Sequence, residues 1–346
     1  MAQIKVLPFD RIFPCGDDNS ILAAALTHGH FLRYGCKHGG CGTCKVVLID
    51  GDVEEGGSSF ALASAERSQG WILACSSRPL SDCVIDISAM ALTEAEFLAG
   101  DQAETLQTAL EHKELLTPTI FGLTLRLVDP PSMRFLAGQF VNVEVPGVDG
   151  PRAFSMANAP SADSEIELIV KRLPGGKFAE YLETSARLGD TIRVRGPVGS
   201  LRVRPSYRKI IMIAGGSGMA PMLSMLSDLG EKGDRRSVTF FFGARTCDEL
   251  YYLERLDRLC GMSSSLEFVP VVERAEAGWA GEEGLVTQVV ERRMGSLKGY
   301  DAYLCGPPPM VEAARESVVR LGVREANIHY DAFVPTGAAT IGAVVG

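Results

Sequence analysis

Four cysteines near the start of the chain constrain its fold more than any other feature. Cys36, Cys41 and Cys44 follow the pattern C-x4-C-x2-C, and Cys75 comes after thirty further residues. This spacing is typical of a site for a 2Fe-2S cluster, because two irons and two sulfides need four thiolates around one small volume. The loop must bend sharply to wrap a cluster, and four glycines between Gly35 and Gly42 allow such bends. The N-terminal region is therefore predicted to hold this metal site.

Other uses of the cysteines fit less well. Zinc sites usually combine two close pairs, C-x2-C with C-x2-C, which differs from this order. The nine cysteines are an odd number, and no apolar segment preceded by a basic stretch stands at the N-terminus, so a disulfide-rich secreted protein is not indicated. No run approaches the roughly twenty apolar residues of a membrane-spanning helix. We expect a soluble cytoplasmic protein with no membrane partner, monomeric on its own.

The charge is concentrated in the N-terminal part. The net charge is −9, and residues 1–95 carry 11 acids and 7 bases, whereas residues 96–112 carry 4 acids and no Lys or Arg. Nucleic acid is not an expected partner, because its phosphates require a basic face. An acidic docking surface for a basic protein partner and an ordinary solvated surface both fit this excess.

The pattern of strand-like, helix-like and turn-forming segments changes along the chain and predicts three domains. Residues 1–95 indicate an α+β ferredoxin-like (β-grasp-like) sheet with one helix, and residues 96–112, helical in composition, indicate a linker. Residues 113–206 contain strands between Pro and Gly turns, which is typical of an antiparallel β-barrel. Residues 207–346 alternate strand and helix, which predicts an α/β domain with a parallel, nucleotide-binding sheet.

A short motif in the barrel region points to a flavin. The run Arg152-Ala153-Phe154-Ser155 resembles the Arg-x-Tyr/Phe-Ser/Thr motif of the ferredoxin–NADP reductase superfamily. On a strand, Arg152 and Phe154 share a face, so a guanidinium can grip the FAD diphosphate while the ring stacks on the isoalloxazine. The resemblance implies that the Ser155 hydroxyl approaches flavin N5. Many relatives have Tyr where this chain has Phe154, so one hydroxyl is lost.

A second segment is a candidate for the same cofactor. A strand that ends at Val170 and Lys171 is followed by a glycine turn that opens a helix. Free N–H groups at a helix start can bind phosphate, although an ordinary helix-starting turn fits this segment equally well. The residues predicted to contribute are Val170, Lys171, Gly175, Gly176, Lys177 and Phe178.

Two further motifs resemble the pyridine-nucleotide site of the same superfamily. A glycine-rich turn joins a strand to a helix whose start is marked by Pro221, and its residues are Gly215, Gly216, Ser217 and Gly218. The run Cys305-Gly306-Pro307 matches the C-G-P-P-x-M turn, and the resemblance implies that Cys305 lies beside nicotinamide C4. A buried structural cysteine is the alternative. The ending Asp331-x-Phe333 resembles the acid-x-aromatic strand near the flavin, which implies an electrostatic or proton role for Asp331.

The choice of nicotinamide cofactor depends on the contacts of its ribose 2′ position. Asp248 and Glu249 lie in the loop where those contacts are expected and would repel the 2′-phosphate of NADPH, whereas Arg245 could bind it. We expect NADH.

Together the motifs resemble the reductase components of bacterial multicomponent oxygenases. The resemblance implies an enzyme with Ser155, Cys305, Asp331 and Phe333 at the reacting centre, and a path from NADH through FAD and the 2Fe-2S cluster to an oxygenase, here a diiron hydroxylase of alkanes, alkenes or aromatics. A flavin is needed because nicotinamide exchanges electron pairs and the cluster single electrons. A Rieske dioxygenase or another acceptor remains an alternative partner. A non-enzymatic iron–sulfur redox sensor is the alternative of a different class.

Overall fold

The protein divides into two compact units. The computed structural model describes residues 1–37, 39–56, 61–62, 64–101, 103–148 and 150–334. The first unit comprises Met1–Glu104 with Val198–Ser200, and the second comprises Thr105–Pro197 and Leu201–Phe333. The second unit therefore contains both the predicted barrel and the predicted parallel sheet.

The first unit is built on a mixed five-stranded sheet. Its elements are β1 (Ala2–Leu7), β2 (Arg11–Cys15), α1 (Ile21–Thr27), β3 (Lys45–Asp50), β4 (Val53–Glu55), α2 (Ser64–Ser68), β5 (Trp71–Leu73), β6 (Ser77–Pro79), β7 (Cys83–Asp86) and α3 (Glu94–Leu98). The strand order is β2-β1-β7-β3-β5, with β1 and β7 parallel and the other pairs antiparallel, while β4 and β6 form a separate pair. Helix α1 begins after Ser20, whose hydroxyl accepts the Ala23 N–H (3.2 Å). The predicted ferredoxin fold is confirmed.

Helix α3 occupies the beginning of the region predicted as a linker. Thr93 caps the helix in a reciprocal box with Glu96, which fixes where it begins. The Phe97 ring is fully buried and packs against Phe9 (5.3 Å between ring centroids) and His30 (4.8 Å). This part of the segment is folded onto the first unit and does not span free space.

The second half of that region forms a strand, so the prediction of a linker over 96–112 is corrected here. Strand β8 runs over Glu104–Thr117. Over the first half of this strand, the side chains are buried at every second position, at Leu106, Thr108 and Leu110. This two-residue period on a barrel outweighs the helix-favouring composition of the segment.

The barrel of the second unit is antiparallel, as predicted. Its elements are β8, β9 (Ile120–Asp129), β10 (Phe140–Glu144), β11 (Arg152–Ser155), β12 (Glu165–Lys171), α4 (Lys177–Thr184) and β13 (Thr191–Val198). The strand order is β11-β10-β13-β8-β9-β12, and an antiparallel bridge between Met156 and Leu168 joins the first and last strands. Both ends of the sheet are thereby paired, which leaves the flavin motif on a closed barrel.

The parallel sheet follows, also as predicted. Its elements are β14 (Lys209–Gly215), α5 (Met219–Glu231), β15 (Val238–Ala244), α6 (Leu253–Met262), β16 (Leu266–Val272), β17 (Glu282–Glu283), α7 (Val286–Met294), β18 (Tyr300–Gly306), α8 (Pro308–Arg320) and β19 (Ile328–Ala332). The order is β17-β16-β15-β14-β18-β19, and every pairing is parallel. Ligands of such sheets bind at the carboxyl ends of the strands, where β14 and β18 end in Gly215 and Gly306.

The barrel and the parallel sheet share one hydrophobic core. Ile120, Ala157 and Ile169 of the barrel belong to the same buried cluster as Met219 and Cys305 of the α/β part. The buried Ser224 hydroxyl on α5 donates to the Asn158 carbonyl at 2.7 Å. This shared core explains why two predicted domains form a single unit.

Candidate functional site

The four cysteines lie in two pairs around the loop before β3 and the end of β5. The Cys36 N–H donates to Cys41 Sγ (3.4 Å), and the Gly40 N–H donates to Cys36 Sγ (3.2 Å). A hydrogen bond between the thiols of Cys44 and Cys75, together with burial, raises the pKa of Cys44 well above its usual value. Among the residues that the structure describes, no three ligand-type side chains have the arrangement of a single-ion site.

This arrangement fits a binuclear cluster. Two pairs of cysteines supply two ligands to each of two irons, and N–H groups aimed at sulfur are the contacts that tune such clusters. The backbone between the cysteines has positive φ at Gly39 (83°) and Gly42 (70°), a region that favours glycine. The four cysteines are thus the residues that would hold the cluster, and their role as its ligands stays a prediction.

A hydrogen bond ties the cluster loop to the chain that follows α3. The Tyr34 hydroxyl lies 2.6 and 2.7 Å from the two carboxylate oxygens of Asp101, and the Tyr34 side chain is only 3% exposed. The ammonium of Lys37 lies 4.5 Å from the centroid of the Tyr34 ring. Tyr34 is two residues before Cys36, so Asp101 supports the loop that carries the first ligand.

The flavin motif is placed on β11 at the edge of the barrel sheet. Arg152 and Phe154 lie opposite Val143 and Val141 of β10, which puts their side chains on one face. The guanidinium of Arg152 donates to the carbonyls of Gly150 (3.0 Å) and Pro151 (3.2 Å). Arg152 and Phe154 are half-buried, so a guanidinium and an aromatic ring lie at the surface of the barrel as flavin binding requires.

Ser155 and the second flavin segment are more deeply placed. Ser155 is 4% exposed and Val170 is 1% exposed. Helix α4 begins at Lys177 with Gly176 as its N-cap, and no side chain caps its first turn. The Phe178 ring lies inside the barrel core, 5.1 Å from the Phe154 ring, so it supports that ring from behind. Backbone N–H groups at the start of α4 suit a diphosphate.

Lys171 brings the flavin segment close to the nucleotide turn. Its ammonium lies 3.4 Å from the position that a Cβ of Gly216 would occupy. Gly216 has a φ of +57° and lies in the turn between β14 and α5. Helix α5 begins at Met219, two residues before Pro221, which lies in the first turn where a missing N–H has no cost.

The two nucleotide motifs, far apart in sequence, pack directly against each other. A Cβ on Gly218 would lie 2.3 Å from the Cys305 carbonyl oxygen, and a Cβ on Gly306 would lie 2.8 Å from the Gly215 carbonyl oxygen. Only glycine permits this approach. The turn 215–218 and the turn at 305–307 therefore form one backbone-lined site, which fits a pyrophosphate and a nicotinamide.

Cys305, Asp331 and Phe333 lie close together at the carboxyl ends of β18 and β19. Cys305 is fully buried and lies opposite Asp331 in the parallel register of β18 and β19. Burial, and then the charge of Asp331, raise the pKa of Cys305 well above its usual value, so the thiol is neutral. The Phe333 N–H donates to the Gly306 carbonyl (2.9 Å). These three residues are brought together as the motifs predict, and their catalytic roles stay predictions.

The loop after β15 pairs its one arginine with an acid. Two nitrogens of the Arg245 guanidinium donate to the Glu249 carboxylate, and the shorter of these bonds measures 2.5 Å. The backbone N–H of Arg245 also donates to this carboxylate. Hydrogen bonds and the charge of Arg245 lower the pKa of Glu249 against the opposing effect of burial. Arg245 is therefore engaged by a carboxylate of its own loop.

Several residues at these sites carry no signal in the sequence. Tyr251 is buried and donates its hydroxyl to the Gly216 carbonyl (2.8 Å), and Arg255 bridges from α6 to Glu167 on the barrel (2.6 Å). The Asp101 contact with Tyr34 is of the same kind. Each joins residues far apart in sequence, and the residue types by themselves indicate nothing about the partner.

Fold and sites together define an electron-transferring oxidoreductase with flavin, NAD and iron–sulfur domains. Comparison with protein families confirms this class. A 2Fe-2S iron-sulfur cluster binding domain matches residues 4–80, an oxidoreductase FAD-binding domain matches residues 107–203, and an oxidoreductase NAD-binding domain matches residues 212–316.

Related proteins place the chain more closely. It is 38% identical over 336 residues to the phenol 2-monooxygenase reductase component DmpP of Pseudomonas sp. (strain CF600), covering 96% of this chain and 94% of that protein. It is 36% identical over 338 residues to the propane 2-monooxygenase reductase component of Mycolicibacterium goodii, covering 96% and 97%. The chain belongs to the family of reductase components of multicomponent monooxygenases.

A solved structure is similar to the chain over nearly its whole length. The Amycolatopsis cytochrome P450 reductase GcoB has a TM-score of 0.78 and 28% identity to this chain, covering 97% of this chain and 99% of that one. Among the residues that the structure describes, no helix is both long and apolar enough to cross a membrane.

Proposed function

We propose that this protein takes electrons from NADH and delivers them singly, through its 2Fe-2S cluster, to the diiron hydroxylase component of a monooxygenase. The observation that supports the proposal is that 2Fe-2S, FAD-binding and NAD-binding domains follow one another on one chain, 96% of which matches monooxygenase reductase components. The flavin supplies the conversion between a hydride, which carries two electrons, and single-electron transfer.

The chain's own residues bind and orient the reactants. The glycine turn 215–218 and the start of α5 offer backbone N–H groups to the NADH diphosphate, and Cys305 with Gly306 closes the far side of that site. Arg152 and the start of α4 are suited to the FAD diphosphate, and Phe154 to the ring. The neutral, buried Cys305 thiol adds no charge beside a nicotinamide, which becomes cationic when it gives up hydride.

The preference for NADH follows from the pairing of Arg245 with Glu249. A 2′-phosphate would have to displace the carboxylate that holds the guanidinium, and it would meet the negative charge of Glu249. The 2′-hydroxyl of NADH meets neither obstacle, and a carboxylate can accept a hydrogen bond from it.

The acceptor is proposed as a hydroxylase because the two relatives named above are monooxygenase reductase components. The structural neighbour is named as a reductase for a cytochrome P450, so acceptors vary between proteins of this build. Membership of the family thus implies an oxygenase partner, and we propose that this partner is a diiron hydroxylase.

Reconstitution with purified candidate oxygenases tests the proposal. NADH, this protein and a diiron hydroxylase should give NADH-coupled hydroxylation of a small alkane, alkene or aromatic substrate, and omission of any one component should abolish product. Hydroxylation only with a Rieske dioxygenase would move the protein to that partner class. NADH oxidation that never reaches cytochrome c or any oxygenase would overturn the proposal.

A further inference from the structure

Two tyrosines and an arginine at the start of α6 connect the nucleotide turn to the flavin-binding barrel. Tyr251 and Tyr252 immediately precede the helix, and Arg255 lies in its first turn. We propose that Tyr251, Tyr252 and Arg255, together the Tyr-Tyr-Arg clamp, set the position of the nicotinamide relative to the flavin and thereby control the rate of hydride transfer. This inference rests on the proposed function, because it requires NADH and FAD bound in the second unit.

On the nucleotide side, the clamp holds the glycine turn through Tyr251. The Tyr251 hydroxyl donates to the Gly216 carbonyl at 2.8 Å, and the ring is 4% exposed, edge-on to Phe242 of β15 (5.6 Å, 89°). Gly216 is in the left-handed region, at +57°, so its carbonyl orientation depends on this conformation being kept. Tyr251 therefore fixes the backbone that faces the cofactor diphosphate.

On the barrel side, the clamp holds β12 and the chain after β11 through Arg255. Its guanidinium donates to the Glu167 carboxylate at 2.6 Å and to the Ala157 carbonyl at 3.3 Å. Ala157 is two residues beyond Ser155, and its N–H donates to the Glu167 carbonyl (2.8 Å). Arg255 thus contacts two adjacent backbone segments of the barrel, one of which carries the flavin motif.

Tyr252 joins these two ends and is held in an unusual conformation. Its φ is +56°, in the left-handed region that bulky side chains rarely adopt. The Arg255 guanidinium lies 5.5 Å from its ring centroid, and the Tyr252 hydroxyl lies 2.9 Å from where a Cβ of Gly122 would be. Burial, and then the charge of Glu167, raise the pKa of Tyr252 above its usual value.

Strain that persists in a folded protein must be held by its surroundings, and here the surroundings are the barrel. Glu167 accepts a hydrogen bond from Arg255, whose guanidinium lies near the Tyr252 ring, and Gly122 leaves room for the Tyr252 hydroxyl. The clamp is therefore a continuous path of contacts from the nucleotide turn to the strands beside the flavin. Hydride transfer is sensitive to such geometry, because a displacement of about 1 Å can cost roughly a hundredfold in rate.

The experiment measures flavin reduction by NADH in anaerobic single-turnover stopped flow, using the full chain loaded with FAD and cluster. For Arg255→Ala, we expect the limiting rate to fall about tenfold to a hundredfold, with an NADH dissociation constant within about threefold of wild type, because Arg255 does not touch the nucleotide turn. Arg255→Lys retains one donor to Glu167 and should recover part of the rate.

Arg236→Ala is the matched control. Arg236 is also a half-buried arginine of the α/β part, paired with Asp234 (2.7 Å) and donating to the Arg204 carbonyl (3.1 Å), but it precedes β15 at the amino ends of the strands. Both alanine variants should lower the melting temperature, whereas only Arg255→Ala should slow hydride transfer. A purely structural role for Arg255 would make the two variants alike.

The outcomes separate the clamp from the proposed function. Arg255→Ala with a limiting rate within about twofold of the control would overturn the clamp and leave the proposed function intact. If Arg255→Ala loses its FAD, the limiting rate of flavin reduction is measured in Arg255→Lys and in Glu167→Gln instead. Wild-type rates in both of these variants would overturn the clamp. A wild-type protein whose flavin is not reduced by NADH would overturn both.

Discussion

The cluster loop and the candidate nucleotide site differ in whether side chains or backbone groups would bind the ligand. The cluster loop would bind through four cysteine side chains, three of them within nine residues, so the residue types alone indicate its chemistry. The candidate nucleotide site would bind through backbone groups, and its two turns meet only because β14 and β18 are neighbours in the sheet. Side-chain sites are thus specified locally, whereas backbone sites depend on packing across the fold. Substitutions should break the two in different ways.

The largest effect is expected from Cys75→Ser, which removes one cluster ligand. Electron transfer to cytochrome c should fall by about a hundredfold or more, because the outlet is lost. Reduction of ferricyanide, which accepts electrons from the flavin, should stay within about twofold of wild type. Steady-state assays with both acceptors measure this. Cytochrome c reduction at the wild-type rate would place the cluster outside the path.

In the backbone site, Gly218→Ala should strongly reduce the use of NADH. The new Cβ would lie 2.3 Å from the Cys305 carbonyl, and backbone atoms on both sides cannot yield cheaply. We expect about a hundredfold loss of ferricyanide reduction and a destabilisation of about 1–3 kcal/mol.

Gly230→Ala is the control for Gly218→Ala. A Cβ at Gly230, in the last turn of α5, would meet nothing within 4 Å. This variant should keep full activity and be as stable as wild type or slightly more so. Chemical unfolding and ferricyanide assays compare the pair, and equal activities would show that the two turns separate more readily than their contact indicates.

Support from outside the cysteine motif is tested by Tyr34→Phe. The change removes the hydrogen bond to Asp101 and keeps the ring under Lys37, which should cost about 1 kcal/mol. The cluster should be lost to a chelator roughly threefold to tenfold faster, as measured by the decay of its visible absorbance. Tyr207→Phe is the control, since Tyr207 is fully exposed. Equal rates of decay in the two variants would mean that Asp101 does not stabilise the cluster loop.

The smallest effect is expected at the cofactor-choosing loop. Glu249→Gln removes the charge that holds Arg245 and would repel a 2′-phosphate. Because this pair is partly exposed, the ratio of kcat/KM for NADPH to that for NADH should rise by only about threefold to tenfold. Glu254→Gln, at the start of α6, should leave the ratio unchanged. A ratio unchanged in Glu249→Gln would mean that the 2′ position is recognised elsewhere.

The same contrast explains what the sequence can predict. The cysteine spacing and the glycine motifs predict the candidate sites, because each requires particular residue types at fixed intervals. The strand at Glu104–Thr117 is mistaken for a linker, since its helix-favouring composition hides a period-two burial that appears only against the barrel. The contacts of Arg255 with Glu167 and of Tyr34 with Asp101 join residues 88 and 67 positions apart, and nothing local specifies such pairs.

We infer that electrons enter at the nucleotide turn and leave through the cysteine loop. Anaerobic mixing of the FAD- and cluster-loaded protein with one equivalent of NADH tests it most directly, with flavin absorbance and the cluster's electron paramagnetic resonance signal followed in time. We expect the flavin absorbance to fall first and the signal of the reduced cluster to rise afterwards, and we expect Cys75→Ser to show only the first phase. A cluster signal that rises before or without flavin reduction would contradict it.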